Sequence, residues 1–551
     1  MTRPLRAALA VAVGAALVAA LAGCAGAATA PTSNAGAGEP QTGGTLTYLE
    51  PQTWNTLYPG SGGFYPNGGV INNITDRLLY QDPETLELEP WIAAELPEVN
   101  ADATEYTFTL RDDVTYSDGT PLDAENVAKN FDLLGLGDPD RKFTVSEQVT
   151  NYESSEVLDE HTVRFHFSAP APGFAQATSA INAGLLSDET LDRTSEEFGP
   201  GNATEIIGSG PFVVASEEIG TKISLTARDD YDWAPPSLEH QGRAYLDGID
   251  YVVAAEDSVR VGTVVSRQAH IARGIEAPDE AQFSADGLHL LASATNGVNN
   301  GLSFRLRDPI TSELAVRQAL IAGIDRQAIV DTLFSDSYPL ATGALATTAR
   351  GYTDTSEFYV YDPDQATKLL DDAGWVPGSD GIREKDGIRL SLTVNEALPQ
   401  PRSREVITLI QDQLKDIGVE ITLLPGDQAA QDAARGVPGE LQVYHSMVGR
   451  ADYDVLKSQY YSGNRNALLN GYPDGTVADE ELDALLLAIA SSPTEEGRQE
   501  ASAAAQQRLA EQAYILPFFE EPQVYGYVDA VHGFATESIG RPSFYSTWLA
   551  Q

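Results

Sequence analysis

Two histidines on one short segment, His161 and His166, are a residue pattern that could bind a metal ion. They lie in Glu160–Ser168, where large apolar residues alternate with polar ones, the period of a half-buried strand. Arg164 shares a strand face with His166, and no cysteine or carboxylate stands at ligand spacing. The pattern favours solvent-facing histidines. With only seven histidines in the chain and no cluster among them, neither a metal site nor a role in nickel binding is supported.

Other patterns that would indicate catalysis are incomplete. Gly208-Ser209-Gly210 lacks the spacing of a phosphate-binding loop and precedes a predicted strand rather than a helix. Neither Gly-x-Ser-x-Gly nor His-Glu-x-x-His occurs, and Cys24 is the only cysteine, which excludes an intramolecular disulfide. Carboxylate pairs are too abundant in this acidic chain to indicate acid–base catalysis. The sequence therefore predicts a protein that is not an enzyme and has no cofactor.

Length and charge exclude two classes of partner. The chain has 551 residues, 42% of them hydrophobic, which is enough for two or three domains with their own cores. Its formal net charge of −47 comes from 81 acidic and 34 basic residues. Nucleic acids and anionic membrane surfaces both require basic clusters on their partners, so the composition argues against both. The acidity is typical of a well-solvated surface, and a specific cationic ligand is the alternative.

The amino terminus carries the pattern of an export signal. Arg3 and Arg6 precede an apolar run, 7–22, which is too short and too rich in small residues for a membrane span. The run ends at Leu21-Ala22-Gly23-Cys24, which resembles the lipobox of bacterial lipoproteins, whose cysteine is lipidated and becomes the first residue of the mature protein. An ordinary cleaved signal with an incidental cysteine is the alternative. Residues 24–42 are mostly small and polar and predict a flexible tether.

The stretch 301–334 divides the rest of the chain. It predicts a strand at Ser303–Leu306 and two helices separated by Gly323. Beyond it, helical stripes of apolar residues alternate with strand patterns, an order that predicts parallel pairing with right-handed crossovers and an α/β fold. Residues that can cap predicted helices are Asp123, Thr311 or Ser312, and Asp325, and a further helix is predicted to start at Asp362-Pro363.

Six stretches in this order resemble the family 5 extracellular solute-binding proteins of ATP-binding cassette (ABC) importers, the oligopeptide, dipeptide and nickel-binding group. They span nearly the whole chain after the predicted signal, and the lipobox fits a receptor tethered outside the membrane. The stretches are GGTLTYL at 43, YTFTLRDDVTYSDGTPLDAENVAKNF at 106, GSGPF at 208, YLDGIDYVV at 245, ELAVRQALIAGIDRQAIV at 313 and YDPDQATKLLDDAGW at 361.

The resemblance implies a type II periplasmic-binding-protein fold, with two α/β lobes joined by two crossovers. The first crossover is expected near Asn299–Phe304 and the second near Phe518–Gln523. Implied hinge residues are Asn299, Asn300, Gly301, Phe519 and Glu520. The implied boundaries are a signal at 1–23, a tether at 24–42, lobe one at 43–300 with a subdomain inserted at about 76–205 and a final part at 521–551, and lobe two at 301–520.

The resemblance also implies a ligand site. Gly449–Asp454 aligns with a loop that carries Ala-Asp-Tyr in peptide-binding relatives, whose aspartate pairs with the ligand's amino terminus, so Asp452 is the implied ammonium partner. The chain lacks the upstream Trp and downstream Pro that relatives often have. Arg450 either pairs with Asp452 or binds a ligand carboxylate, and a salt bridge without a ligand role is a third interpretation. Further candidates are Tyr453, Trp54, Tyr48, Tyr444 and His445.

The implied function is that of an extracytoplasmic, monomeric lipoprotein that captures a peptide or similar small solute between two lobes and delivers it to ABC permease subunits. Ligand contacts shared by both lobes exist only when the lobes are closed, so binding shifts the population toward that state. A metal chelate, an opine or an oligosaccharide is the alternative ligand. A secreted hydrolase is a remote alternative, and an adhesive surface lipoprotein would show repeats, which are absent from the sequence.

Overall fold

The computed structural model describes residues 38–397, 400–426, 428–437, 439–464, 469, 471 and 476–550. Cys24, the predicted signal and most of the predicted tether lie outside these residues. From Gln41 onward the chain forms one unit, and that unit is described below. Over the described ranges, no helix has the length and apolar character that crossing a membrane requires.

The strands follow the chain with the helices distributed among them. The strands are β1 Thr45–Glu50, β2 Leu79–Gln81, β3 Leu88–Pro90, β4 Glu98–Val99, β5 Glu105–Thr109, β6 Tyr152–Asp159, β7 Thr162–Phe167, β8 Phe212–Glu218, β9 Lys222–Ala227, β10 Gly248–Val253, β11 Ile271–Arg273, β12 Leu288–Ser293, β13 Gly297–Phe304, β14 Val376–Pro377, β15 Arg383–Lys385, β16 Ile388–Arg389, β17 Ser391–Asn395, β18 Glu420–Leu424, β19 Val443–Gly449, β20 Ile515–Phe519, β21 Gln523–Val528, β22 Val531–His532, β23 Ala535–Thr536, β24 Pro542–Ser543 and β25 Trp548–Leu549.

The α-helices are concentrated in the second half of the chain. They are α1 Tyr65–Ile74, α2 Ala124–Leu136, α3 Phe174–Ala177, α4 Asp188–Leu191, α5 Asp257–Val265, α6 Leu314–Gly323, α7 Arg326–Leu333, α8 Pro363–Asp372, α9 Ser403–Asp416, α10 Gln428–Gly436, α11 Val455–Tyr460, α12 Glu480–Ser491 and α13 Glu495–Glu511. Short 3₁₀ segments lie at Pro59–Ser61, Ile181–Ala183, Ser195–Phe198, Ala203–Glu205, Ala277–Ser284 and Ser356–Phe358.

Two of the predicted helix caps, Asp123 and Asp325, and the predicted helix start at Asp362 are confirmed, and one predicted cap is wrong. Asp123, Asp325 and Asp362 each accept a hydrogen bond from the backbone N–H three residues later, at 2.8 to 2.9 Å. Helix α6 instead begins at Leu314, after Glu313. The hydroxyl of Thr311 donates to the carbonyl of Arg305, and that of Ser312 donates to the carbonyl of Pro309, so neither hydroxyl caps a helix.

The first sheet has the strand order β12-β21-β11-β1-β10-β9-β8 among the described residues. Strand β1 lies at its centre and pairs in parallel with both β10 and β11, whereas the outer pairs are antiparallel. Leu46 and Tyr48 of β1 are fully buried. Strand β21 also belongs to this sheet, so after the second sheet the chain returns to the sheet in which the fold begins.

The second sheet has the order β18-β17-β19-β13-β20. Strands β17 and β18 pair in parallel over Ser391–Asn395 and Glu420–Leu424, with α9 between them in the chain, which confirms the predicted β-α-β order. Strand β13 pairs antiparallel with β19 on one side and with β20 on the other, and every residue of it is buried.

The third sheet, β4-β5-β7-β6, is small and packs on an aromatic cluster. Phe174 lies at the centre of that cluster, 2% exposed, with its ring centroid 4.7 to 6.2 Å from those of its neighbours. The neighbours are Tyr106, Phe108, Phe131, Phe165 and Phe167. His161 and His166 are both partly buried. His166 lies on the other face of the sheet, with its Nε2 3.2 Å from the exposed carboxylate of Glu156.

The chain passes between the first and second sheets twice, through residues 294–296 and through Glu520–Pro522. The first link lies before the predicted crossover, because Asn299, Asn300 and Gly301 belong to β13. Polar side chains near a glycine suggest a loop, but the amide of Asn299 is buried and donates to the carbonyls of Gly343 and Leu345. Phe519 ends β20 and Glu520 begins the second link.

Gly297 shows why β13 can start where it does. Its φ is +130°, and a Cβ there would lie 2.1 Å from the carbonyl oxygen of Val448 on β19. Only glycine adopts that backbone conformation without strain and also allows so close an approach. The strand therefore begins directly after the link, with no loop between them.

Candidate functional site

A cavity of about 570 Å³ is lined by residues from both large sheets, including segments that begin at Pro51 and end at Arg541. Its wall includes the residues just after β1, β11 and β19 and the second link, together with parts of the segment that carries the third sheet. Ligands of open α/β folds bind at the carboxyl ends of strands, where loops from several strands meet. This cavity is therefore the candidate ligand site.

The Arg450–Asp452 pair lies in the wall of this cavity, after β19. Nε of Arg450 donates to Oδ2 of Asp452 at 2.5 Å, and the two side chains are 11% and 14% exposed. The backbone N–H of Arg450 donates to the carbonyl of Asn296 in the first link. In this structure Arg450 therefore forms a salt bridge with Asp452, the first of the roles considered for it.

The second carboxylate oxygen of Asp452, Oδ1, is buried and has no hydrogen-bond partner among the described residues. A buried acceptor without a donor costs free energy, about 1–3 kcal/mol for an ordinary polar group. A donor supplied by a ligand in the cavity would remove that cost. Oδ1 of Asp452 is therefore the candidate acceptor in this wall for an ammonium or another N–H group of a ligand.

The other predicted contact residues do not line the cavity in the described structure. Tyr48 is fully buried and its hydroxyl donates to Glu50, while Trp54 is 6% exposed. Tyr444 packs with Leu441 in a separate small core cluster. The hydroxyl of Tyr453 lies 3.2 Å from Oε1 of Gln499. Aromatic side chains near strand ends are equally suited to a core, and in these cases burial in the core prevails.

His445 lies inside the second sheet, 1% exposed, and belongs to a chain of hydrogen bonds. Its Nε2 is 2.8 Å from Oδ1 of Asn300, and its Nδ1 is 2.9 Å from Oγ of Ser403. Nδ2 of the same Asn300 donates to Oε2 of Glu521 at 2.8 Å. Burial lowers the pKa of His445 to about 3, so the ring is neutral. Because Asn300 presents its oxygen, Nε2 carries the proton, and Nδ1 accepts from the hydroxyl of Ser403.

Glu521 connects this chain of hydrogen bonds to the cavity. It lies in the second link, lines the cavity and is 8% exposed. Burial raises the pKa of Glu521 to about 7. In the sequence it is one of 81 acidic residues and follows another glutamate. The one sequence signal at Glu521 is its position before Pro522, after an aromatic strand. That pattern is too common to identify a site residue.

The arginines of the cavity wall already have partners. Arg273 forms a salt bridge with Glu50 in which the side chains are 9% and 8% exposed, and it donates to Gln523 at 2.8 Å. Arg260 pairs with Asp257 and donates to backbone carbonyls, and Arg541 pairs with Glu537. By contrast, the side chain of Glu276 has no hydrogen bond or salt bridge within the described part of the chain. Glu276 therefore contributes a negative charge to this wall that no described cation pairs with directly. Over the same residues, no group of three or more His, Cys, Asp or Glu is placed to hold a metal ion.

Comparison with known sequences identifies a protein family. The profile of the bacterial extracellular solute-binding proteins, family 5 (middle), matches residues 87–467. Protein XP55 of Streptomyces lividans is 30% identical over 346 residues, which cover 63% of this chain and 59% of that protein, so the match spans less than two thirds of this relative. The oligopeptide-binding protein AppA of Bacillus subtilis is 25% identical over 401 residues, with coverages of 70% and 69%.

Solved structures confirm the predicted fold class. The structure of Bacillus subtilis AppA in complex with a nonapeptide superposes with a TM-score of 0.76 at 20% identity, and the match covers 93% of this chain and 100% of that one. NikA from Brucella suis in complex with Fe(III)-EDTA gives a TM-score of 0.77 at 22% identity, with coverages of 92% and 100%. At these identities, the likeness shows a shared α/β binding-protein fold.

Proposed function

Because the chain belongs to the bacterial extracellular solute-binding proteins of family 5, we propose that it captures a peptide or similar small solute in the cavity and delivers it to the permease of an ABC importer. In this proposal, lobe one carries the first and third sheets and lobe two carries the second. The lobes close about the links at 294–296 and Glu520–Pro522. The protein acts as a monomer and carries out no reaction of its own.

The observation that supports a peptide ligand is the buried, unpartnered Oδ1 of Asp452 in the cavity wall. A peptide has an ammonium group at its amino terminus, and such a group would satisfy this oxygen. The pairing of Arg450 with Oδ2 orients the carboxylate so that Oδ1 is the oxygen left for the ligand. Relatives named for peptide binding are consistent with this assignment.

The first prediction is that peptides stabilise the purified protein lacking residues 1–23. A ligand that binds only the folded state stabilises it by mass action, about 2.7 kcal/mol at a concentration one hundred times its Kd. The measurement is a thermal-shift screen of peptides, metal chelates, opines and oligosaccharides. A shift with chelates or sugars and none with any peptide would replace the peptide assignment and leave the receptor role standing. No shift with any class would contradict solute capture.

We further propose that the protein is anchored outside the cell membrane through lipid on Cys24, which lies outside the described residues. Replacing Cys24 with serine removes the thiol that would be lipidated, so the expected result is release of the protein from the membrane fraction into the medium. Immunoblots of the two fractions measure the change. Ser33→Ala, in the predicted tether, serves as the control and should leave the distribution unchanged. Membrane retention of the Cys24→Ser variant would contradict the anchor.

A further inference from the structure

We propose that Glu521 is a second ligand-binding carboxylate of the cavity, which takes a cationic side chain of the ligand, an ammonium or a guanidinium. This inference rests on the proposed capture of a peptide and adds a ligand class to it: small peptides that carry a lysine or an arginine. Asp452 would hold the amino terminus of such a peptide and Glu521 its basic side chain.

The carboxylate of Glu521 is positioned at the cavity with one oxygen available. Oε2 accepts the hydrogen bond from Asn300 at 2.8 Å, whereas Oε1 has no hydrogen-bond partner in the residues that the structure describes. The side chain is 8% exposed and lines the cavity, so the space that Oε1 can reach is the cavity itself. A donor bound there would form a charge-assisted hydrogen bond in a largely desolvated site.

The neighbouring charges favour a cation over an anion. Glu276 lines the same cavity without a salt bridge in the described structure, and its charge disfavours a negative ligand group beside Glu521. Arg273, whose positive charge acts on Glu521, is already held by Glu50 and Gln523. The hydroxyl of Tyr338, also in the wall, remains neutral because burial, followed by the carboxylates of Glu521, Glu276 and Glu280, raises its pKa.

Glu521 is held in place by the hydrogen-bond chain through Asn300, His445 and Ser403. The chain joins the second link to β13, β19 and the start of α9, and each polar atom in it has a defined donor or acceptor role. Because the His445 ring is buried and neutral, its own donor and acceptor roles do not change over the physiological pH range. A carboxylate fixed in this way loses little conformational entropy when it binds a ligand.

The strand ends that precede the two carboxylates are two strand positions apart, a separation that suits a small peptide. Strands β19 and β20 lie on either side of β13, and both run antiparallel to it. Their carboxyl ends therefore lie at the same end of the sheet, and Asp452 and Glu521 follow these ends. Two strand spacings amount to about 10 Å. An extended peptide advances about 3.5 Å per residue, so an amino terminus and a basic side chain one or two residues away can span this distance.

The test compares lysine with norleucine, which has an uncharged side chain of similar size. Alanine peptides of two to five residues, each with Lys or norleucine at one position, are titrated calorimetrically into the protein lacking residues 1–23. At one or more positions, the lysine peptide should bind about tenfold more tightly than its norleucine counterpart. In Glu521→Gln this ratio should fall to near one. Glu511→Gln, an exposed glutamate that accepts from Gln507, is the control and should keep the ratio.

A second readout uses the unchanged protein. Because the pKa of Glu521 is about 7, a proton competes with the ligand cation at low pH, and the lysine-to-norleucine affinity ratio should fall between pH 8 and pH 6. Titration of the peptide amino terminus affects both peptides and cancels in the ratio. A lysine preference that is absent, or that survives in Glu521→Gln, overturns the second site and leaves peptide capture intact. Failure of every peptide to bind, norleucine peptides included, overturns the peptide assignment on which this inference rests.

Discussion

Replacing Asp452 with asparagine is expected to weaken peptide binding by more than about tenfold, because the ligand ammonium loses a charge-assisted hydrogen bond worth about 1.5–3 kcal/mol. Asparagine has nearly the same shape as aspartate, and its oxygen can still accept from Nε of Arg450. Alanine would remove that acceptor as well and leave a buried guanidinium without a partner, which mixes a folding cost with the binding cost. Isothermal titration with a peptide found in the thermal-shift screen measures the effect.

The chain offers a matched control for this substitution. Arg111 and Asp113 have the same spacing and form a bidentate salt bridge at 2.7 and 2.8 Å, but the Asp113 side chain is 54% exposed and neither residue lines the cavity in the described structure. Asp113→Asn should therefore leave binding unchanged. If Asp452→Asn kept the affinity of the unaltered protein, Asp452 would be removed from the ligand site, and the Arg450–Asp452 pair would have a structural role only.

Replacing Glu50 with alanine is expected to lower the free energy of unfolding by about 3–5 kcal/mol, the cost of leaving one member of a buried ion pair without its partner. Glu50 accepts from Nε of Arg273 through both carboxylate oxygens, at 3.0 and 3.1 Å, and from the hydroxyl of Tyr48 at 3.0 Å. These contacts connect β1 and β11 at the centre of the first sheet. Both side chains are less than one tenth exposed, so solvation by water compensates little for the lost carboxylate.

Denaturant unfolding of the protein lacking residues 1–23 measures this effect. The control is Asp529→Ala, which breaks the salt bridge with Arg267 where both side chains are about half exposed, and it should cost less than about 1 kcal/mol. Glu50→Gln retains an acceptor for Arg273 and should fall between the two. Equal losses for Glu50→Ala and Asp529→Ala would show that the buried pair contributes no more than a surface pair.

Local patterns in the sequence were sufficient for many elements. Helix α8 begins at Pro363 after Asp362, as predicted, and α13 begins at Glu495 with Thr494 as its cap. The apolar stripe of α9 and the alternating strands on either side of it predict a parallel pair, and the pair is present. Capping, hydrophobic period and turn residues act within a few positions of the chain, so they can be read from the sequence without knowledge of the fold.

The start of β13 and the composition of the site could not be predicted in this way. Asn299 and Asn300 resemble loop residues until the carbonyls and side chains that they contact are known. Tyr48, Trp54 and Tyr444 are as plausible in a cavity as in a core, and the fold buries all three. The loop at Asp452 was identified by family resemblance, and the unpartnered state of its Oδ1 became visible only in the structure.

The sequence by itself determined the α/β class, the order of the elements and the family, because these follow from local periodicity and from motifs in a fixed order. Only the tertiary structure decided which charges matter. Glu50 meets Arg273 across 223 positions, and Asn300 meets Glu521 across 221. The sequence alone does not distinguish a ligand-binding carboxylate from the rest of the 81 acidic residues. Burial and the identity of the neighbouring groups distinguish a site carboxylate from a surface one, and both depend on packing between distant segments.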